Sequence, residues 1–580
     1  MENSATKLLD AGSLDEIKHK GRALVSGGPV PIVVFYSEGD LHAVDNRCPH
    51  MGFPLHRGTV EDGILTCHWH HARFDLKSGC TFDLFADDAT VYPVEVKDGR
   101  VYIDVSATPR APVERGLCRL EEGMDQNIRL VVAKAVVALI RAGANPNDIV
   151  RVSGLYGVRR RRSGWADGMT ILSAMANVSD HLKGDERIAP LFQGVLHVAS
   201  NTSGQPPRIP LRPLESKSIP HAALRRWFRY LIEVRNADGA ERTLLTAIER
   251  PSRQADLAEM MVAAATDHFY LDGGHVIDFI NKAFELLDRI GWEHAAAVLP
   301  SLIRQLSGAQ RSEEQNSWRS PVDLVTLLSE TFDSLDRLLK EGRGGEWKRD
   351  SGFAEKLLRD DPQAIVAALN EALRQGARPV QLAEAVALAA ALRIVRFHVQ
   401  NEFSDWISVL HTFSYANALH QMLKRAESAE MLRGVYHGAM RVYLDRFLNV
   451  PAARLPNPCA AEADDGKAME EYLQLLNQQQ QVDEAGRLVN SFLTSGGEPG
   501  PLFRTLAESL VREDAEFHSF QMLEAAIRQY GERTDIGEQR ILMVAAARFL
   551  AAKAPTQREL LQTLQIAQRL HRGEAVYEEG

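Results

Sequence analysis

The motif CPHMG, beginning at Cys48, and the motif CHWH, beginning at Cys67, decide the fold of the N-terminal region. The first motif contains a CxH pair that ends at His50, and the second is a CxxH pair that ends at His70. Residues this close in sequence lie on one short loop, so two loops can hold a metal centre from opposite sides. Zinc sites of the Cys2His2 type usually space their ligands as CxxC and HxxxH instead. The pattern therefore favours a metal centre that takes one thiolate and one imidazole from each loop.

Short strands and turns surround both motifs between about residues 20 and 105. The segment PIVVFYSEGDLHAVDNRC has two apolar runs on either side of a turn at Gly39 and Asp40. Further along, the runs VYPVEV and VYIDV are separated by the turn sequence KDGR. β-rich runs that alternate with turn residues are typical of antiparallel hairpins. The sequence therefore predicts a small antiparallel β domain.

This region resembles the Rieske ferredoxins and the Rieske domains of oxygenases. Gly52 matches the glycine that follows the first ligand pair in that family, and the FDLKSG segment beginning at Phe74 matches its FDLxTG-like tail. His71 is a departure, since many members have glycine there, and we expect a surface histidine. The resemblance implies a [2Fe–2S] cluster with two thiolates on one iron and two neutral imidazoles on the other. Its expected ligands are Cys48, His50, Cys67 and His70.

The residues around the expected ligands indicate the ferredoxin subclass. Rieske proteins of respiratory complexes carry an extra cysteine in each loop, where this chain has Phe53 and Trp69. Those proteins also place a serine and a tyrosine near the cluster, where this chain has Ala72 and Phe74. Without these hydroxyl donors the reduced cluster is less stabilised, which predicts a potential on the order of −100 mV. The domain is expected to be a ferredoxin-type electron carrier.

Composition limits the class of protein. The chain has 580 residues, of which 45% are hydrophobic and 25% charged, as in globular proteins with several domains. Its net charge of −10 argues against a nucleic-acid partner, because phosphate binding needs a basic surface. Charges interrupt every apolar stretch well before the roughly 20 residues that span a bilayer. A polar N-terminus and five cysteines add to the expectation of a cytoplasmic protein without a membrane segment.

The periodicity changes after residue 106. The Pro-rich segment at 107–116 is predicted to be a linker between a Rieske domain at 1–106 and a helical domain at 117–580. Beyond the linker, apolar residues recur at spacings of three and four, which predicts helices. Whether these helices form one unit or two subdomains stays open. The predicted fold class is α+β multidomain, with a small all-β domain followed by a large all-α domain.

The helical part does not carry the iron motif of ring-hydroxylating Rieske oxygenases, which has the form DxxHxxxxH. The nearest approach is DHFYLDGGH, where His268 and His275 have another spacing. In one continuous helix, His268, Asp272 and His275 would share a face, although Gly273 and Gly274 are residues that can break such a helix. Such faces build metal sites in helical bundles.

Three segments, LFQGVLHVAS, HTFSYANALHQML and MLRGVYHGAM, resemble the helical questin oxidase-like family. The known activity of that family is a Baeyer–Villiger type ring-opening oxygenation, and the resemblance points to His197, His411 and His437. We therefore expect a second iron centre, either non-haem or haem. Its candidate ligands are His197, His268, His275, His411 and His437.

The fusion of a one-electron carrier to a large helical domain suggests an oxidoreductase. In this hypothesis the cluster relays electrons from an external donor, such as a flavin-dependent reductase, to an oxygen-activating site. That site would carry out a monooxygenase-type oxidation of a small organic molecule. The alternative is a redox-responsive interaction or electron-transfer protein whose helical part is a scaffold for partners. The sequence does not identify the substrate.

Overall fold

The computed structural model divides into two compact units, Met1–Asn145 with Leu560–Gly580, and Pro146–Glu559. The predicted linker lies in the first unit, and its residues 107–111 fall outside the part that the structure describes. The described residues are 7–28, 30–106, 112–215, 219–250, 253–456, 465–574 and 576.

Within the described residues, ten short strands form the β part of the first unit. They make three antiparallel sheets with the strand orders β1-β10-β9, β2-β3-β4-β8 and β5-β6-β7. The strands are β1 (Leu8–Ser13), β2 (Arg22–Val25), β3 (Ile32–Ser37), β4 (Asp40–Asp45), β5 (Thr59–Glu61), β6 (Ile64–Thr66), β7 (Arg73–Asp75), β8 (Val91–Tyr92), β9 (Val94–Lys97) and β10 (Arg100–Asp104).

Strand β3 is buried on both faces, which explains its uninterrupted apolar sequence IVVF. Val33 and Phe35 pack into the core that contains Cys48 and Cys67, whereas Val34 packs into a second core with neighbours on the opposite face. The predicted hairpin with β4 is confirmed, with Ser37 paired to Asp40 across the turn. Two small cores therefore share this central strand.

The β domain begins earlier than the resemblance suggested. Strand β1 pairs with β10, with Leu9 opposite Ile103, although the resemblance was expected to start near residue 20. This strand is difficult to predict from its sequence, LLDAGS, because the segment is short and half polar. Its pairing with β10 is also irregular, since the register shifts between Asp10 and Gly12.

The rest of the chain is helical, as predicted. The α-helices are α1 (Leu14–Lys20), α2 (Pro112–Asp125), α3 (Arg129–Arg141), α4 (Pro146–Arg159), α5 (Asp167–Ser179), α6 (Ile188–Thr202), α7 (His221–Glu233), α8 (Ala237–Ile248), α9 (Gln254–Thr266), α10 (His275–Ile290), α11 (Ala295–Val298), α12 (Ile303–Gly308), α13 (Leu324–Phe332), α14 (Leu335–Glu341), α15 (Phe353–Leu357), α16 (Pro362–Arg374), α17 (Pro379–Val395), α18 (Phe403–Arg425), α19 (Ala429–Leu444), α20 (Asp465–Leu475), α21 (Val482–Thr494), α22 (Pro499–Val511), α23 (Phe517–Gly531), α24 (Ile536–Lys553) and α25 (Glu559–His571).

In the second unit, α10 lies in the interior and packs against α4, α5 and α18. Helix α23 packs against α5 and α18 as well, so α10 and α23 share two neighbours. Within the residues that the structure describes, no helix is both long and apolar enough to cross a bilayer. The interior of this unit is therefore a packed helical core, and polar side chains inside it need a specific explanation.

Gly79 and Gly99 provide a matched test of the β fold. Both have a left-handed φ, 77° and 75°, but a Cβ at Gly79 would lie 2.0 Å from the carbonyl oxygen of Ala89, while nothing lies within 4 Å of one at Gly99. Gly79→Ala should therefore destabilise the domain by more than about 2 kcal/mol, and Gly99→Ala by about 1 kcal/mol. Urea midpoints measured by labelling of the buried Cys48 and Cys67 thiols would show the difference. Equal midpoints for the two variants would contradict the packing described here.

Candidate functional site

Two loops carry the expected cluster ligands. The first loop follows β4, and its N-terminal turn is closed by hydrogen bonds from the Cys48 N–H to the Phe53 carbonyl (2.8 Å) and from the Gly52 N–H to the Cys48 carbonyl (2.7 Å). The second loop joins β6 to β7, where the Cys67 N–H donates to the Ala72 carbonyl (2.9 Å). Each loop is thus fixed by backbone hydrogen bonds at the residue that carries the thiol.

Left-handed backbone occurs once in each loop. Gly52 has a φ of 80° and His71 has a φ of 60°. This conformation favours glycine, which gives a physical reason for the glycine that many Rieske proteins have at the second position. The His71 side chain is exposed, in keeping with the expectation of a surface histidine.

The four expected ligands come together between the two loops. The thiols of Cys48 and Cys67 hydrogen-bond to each other, and both residues are buried. The rings of His50 and His70 lie 4.8 Å apart between centroids in an edge-on arrangement. His50 is half-buried and His70 is exposed, so one imidazole is accessible at the surface of the domain. The pairing of thiol with thiol and of imidazole with imidazole matches the two irons of a Rieske centre.

The electrostatics of these groups suit metal binding. The hydrogen bond from Cys48 lowers the pKa of Cys67 to about 6, helped by the backbone N–H groups of Trp69 and His70. The same thiol pairing, together with burial, raises the pKa of Cys48. Burial, aided by the charges of His70 and Lys134, lowers the pKa of His50 to about 4. These surroundings therefore favour the thiolate of Cys67 and the neutral imidazole of His50, which are the forms that bind iron.

One buried ring nitrogen also fits the role of a metal ligand. The Nδ1 atom of His50 is buried and has no hydrogen-bond partner among the described residues. Buried polar atoms without partners are rare in folded proteins, and a bond to iron would satisfy this one. The donor set thus fits a [2Fe–2S] group, which takes two thiolates and two neutral imidazoles.

A half-buried ion cluster connects the first loop to helices of the same unit. Lys134 of α3 forms an ion pair with Asp87 and donates a hydrogen bond to the carbonyl oxygen of Pro49 (2.8 Å), beside His50. Arg119 of α2 also pairs with Asp87 (2.6 Å). Although burial opposes ionisation, these cations hold the pKa of Asp87 below its usual value. Helix α3 therefore supports the ligand loop directly, and α2 supports it indirectly through Asp87.

The second unit contains a cluster of three histidines. His275 begins α10, His411 lies on α18 and His518 lies on α23, and one nitrogen from each falls within 4.8 Å of the others. The Nε2 atoms of His411 and His518 are 2.8 Å apart. Two nitrogens bound to one metal at about 2.1 Å lie roughly 3 Å apart, so only a small adjustment is needed to admit an ion. We call this group the three-histidine site.

The environment of the three-histidine site favours the neutral form of His275 and of His411. Burial, with the charge of His518, lowers the pKa of His275 to about 4, and burial, with both neighbouring histidines, lowers that of His411 to about 2. Glu516 binds the Nδ1 atom of His518 at 2.6 Å and so leaves Nε2 free to face the other two rings. A carboxylate behind a histidine in this way is the usual support of a metal ligand.

The other candidate histidines lie elsewhere. Both ring nitrogens of His268 bind carboxylates, those of Glu313 (2.6 Å) and Glu233 (2.5 Å). His197 packs against Phe520, and its Nε2 has no partner among the residues described. His437 is fully buried beside aromatic rings, and burial lowers its pKa to about 3. Of the five candidates, His275 and His411 are the two that belong to the three-histidine site.

The shared helix face proposed for His268, Asp272 and His275 does not form. Asp272 and the two glycines after it have left-handed φ values, 47°, 65° and 98°, so α10 begins only at His275. Gly273 and Gly274 were the sequence signal for this break. His518 was missed because it lies 107 residues from His411 and shares no short motif with it.

The β fold and the mixed Cys and His loops define a Rieske-type iron–sulfur domain. The family model of the Rieske [2Fe-2S] domain matches residues 7–92. The chain belongs to the Rieske [2Fe–2S] family through this region.

Several relatives of the domain are ferredoxin subunits. The 3-phenylpropionate/cinnamic acid dioxygenase ferredoxin subunit of Photorhabdus laumondii is 38% identical over 96 residues, which cover 16% of this chain and 90% of that protein. The anthranilate 1,2-dioxygenase ferredoxin subunit of Burkholderia cepacia is 32% identical over 95 residues, 16% of this chain and 88% of that one. A solved structure of the Sphingomonas yanoikuyae B1 ferredoxin matches with 25% identity and a TM-score of 0.16, covering 18% of this chain and 100% of that chain.

The potential of the cluster can be tested at Ala72 and Phe74. Both side chains are buried in the core that contains the two cysteines, and neither offers a hydroxyl donor. Ala72→Ser combined with Phe74→Tyr should raise the midpoint potential, because hydrogen bonds to the sulfurs stabilise the reduced cluster. Ala86→Ser, a buried control in the same core, should leave it unchanged. A redox titration measures both, and a wild-type value well above roughly +150 mV would contradict the low potential expected here.

Proposed function

We propose that Cys48, His50, Cys67 and His70 hold a [2Fe–2S] cluster that carries single electrons. The adjoining thiols, the paired imidazoles and the unpartnered Nδ1 of His50 support this assignment. Relatives of the domain are ferredoxin subunits of dioxygenase systems. An external reductase, for example a flavin-dependent one, would supply the electrons.

The second part of the proposal is that the three-histidine site binds iron and activates oxygen for a monooxygenase-type oxidation of a small organic molecule. Iron at such a site would supply an oxygen-binding position that accepts electrons from the cluster. The observation that carries this proposal is the convergence of three imidazoles from separate helices, with Glu516 behind one of them. Three half-buried rings leave the site accessible to a small molecule.

The surroundings of the three-histidine site favour an organic substrate. The ring of Phe517 lies 5.7 Å from that of His275 and 4.9 Å from that of His518, and the ring of Phe279 lies 5.4 Å from that of His275. Aromatic walls beside a few polar groups are typical of sites for small molecules. His411 is also one of the histidines that match the questin oxidase-like family, which supports an oxygenation reaction.

The cellular setting completes the proposal. Among the described residues, Cys80 and Cys118 are free thiols, and the proposed ligands Cys48 and Cys67 form no disulfide. Free thiols are usual in a reducing compartment, which supports a cytoplasmic location. The net charge of −10 supports a small-molecule substrate over a nucleic acid.

Iron counting in the full chain separates the two proposed centres. The wild type should bind three irons per chain, two in the cluster and one at the three-histidine site. Cys67→Ser should abolish the electron-resonance signal of the mixed-ligand cluster, because it removes a thiolate, and should leave one iron per chain. His411→Ala and His518→Ala should each lose the iron of the three-histidine site and keep the two irons of the cluster.

His437→Leu is the matched control for this measurement, because His437 is a buried histidine on α19 away from the three-histidine site. It should change stability and leave three irons per chain. Two irons in the wild type and none in Cys67→Ser would remove the oxygenase proposal and leave an electron-transfer or interaction protein. Zinc in place of the third iron would likewise exclude oxygen activation there.

A further inference from the structure

A row of buried polar side chains runs along the gap between α10 and α23, starting one turn from the three-histidine site. Asp278 lies three residues after His275, and Gln521 lies three residues after His518. One helical turn separates each pair, a rise of about 5 Å. The Gln521 amide donates a hydrogen bond to the Asp278 carboxylate. The row therefore begins with Asp278 on α10 and Gln521 on α23, each one turn after a histidine of the three-histidine site.

The next turn continues the row. Lys282 of α10 donates hydrogen bonds to Glu524 of α23 (2.6 Å) and to Glu285 (2.8 Å). Asn177 of α5 donates to both carboxylates, at 2.8 Å each. The side chains of Lys282 and Glu524 are only 1% and 2% exposed. A network of this kind is expensive to bury, and apolar residues of similar volume are often as stabilising, so a role other than stability is indicated.

The far end of the row meets the surface. Glu524 and Asn177 line a pocket of about 220 Å³, together with Asp180, His181 and Arg528. Glu524 therefore contacts the pocket on one side and the buried Lys282 on the other. Polar groups thus extend from the surface pocket through Glu524 and Lys282 to the surroundings of Asp278, which lies one helical turn from the three-histidine site.

We propose that Asp278 carries protons between this surface pocket and the three-histidine site. The proposal rests on the function proposed above. Insertion of one oxygen atom consumes one O₂, two electrons and two protons, and yields the oxygenated product and one water. The electrons come singly from the cluster, and the protons come from solvent in the pocket, past Glu524 to Asp278. Electron transfer to oxygen alone would accumulate negative charge at the site, and protons delivered by Asp278 would neutralise it.

The electrostatic surroundings suit Asp278 to this role. Burial raises the pKa of Asp278 to about 7, since the nearby Glu524 and Glu285 carboxylates oppose the stabilising charge of Lys282. Gln521 donates to the carboxylate from α23, Asn177 holds the two glutamates from α5, and His411 belongs to the flanking helix α18. An acid with a pKa near the working pH can both take up and release a proton.

The experiment combines two measurements on the iron-loaded full chain. Infrared spectra between pH 6 and 8 should show a buried carboxylic acid that titrates and is lost in Asp278→Asn. Oxygen consumption by the reduced protein should fall by a factor on the order of ten or more in Asp278→Asn, with the iron content unchanged. Asp278→Glu should restore both. The control is Glu241→Gln, which alters a buried acid on α8 that pairs with Arg208. This variant should keep the wild-type rate of oxygen consumption and the titrating infrared band.

The outcomes distinguish the path from the site. An Asp278→Asn variant that keeps its iron and consumes oxygen at the wild-type rate would overturn the path while leaving the oxygen-activating site intact. Absence of the titrating acid in the wild type would also overturn it. A wild type that binds the third iron and consumes no oxygen would overturn the proposed function, and the path with it. If Asp278→Asn fails to fold, Glu524→Gln tests the same row and should slow oxygen consumption with iron retained.

Discussion

The constraint on which the N-terminal unit depends is the requirement that two loops present one thiol and one imidazole each. Backbone hydrogen bonds at Cys48 and Cys67 fix the loops, and the central strand β3 packs its Val33 and Phe35 side chains against them. The ion cluster of Asp87, Lys134 and Arg119 then ties helices to the first loop. The positions of the four ligands therefore depend on the loop hydrogen bonds, on the core packed against β3 and on the helices beside the first loop.

Most of the N-terminal fold could be predicted from the sequence because its signals are local. The Gly39 turn, the apolar run of β3 and the Cys and His spacing all lie within a few residues of the structure they determine. Strand β1 could not be predicted in the same way, because it pairs with β10 almost a hundred residues away and its six residues are half polar. Long-range pairing leaves little trace in one sequence.

The three-histidine site shows the same limit in the helical unit. His275 and His411 were candidates, but nothing in the sequence connects them with His518, because the three residues come from separate helices that meet only in the folded chain. Gly273 and Gly274 did indicate a helix break, and α10 begins directly after them, at the candidate ligand His275. The row from Asp278 to Glu524 is likewise visible only when α10 and α23 are side by side.

The central claim is that the cluster passes electrons to oxygen through the three-histidine site. The most direct measurement mixes the anaerobically reduced, iron-loaded full chain with oxygen and follows the return of the oxidised cluster's visible absorbance. The wild type should reoxidise rapidly, and His411→Ala and His518→Ala should reoxidise at least tenfold more slowly, with the cluster intact. Equal reoxidation rates in the wild type and both variants would contradict the claim.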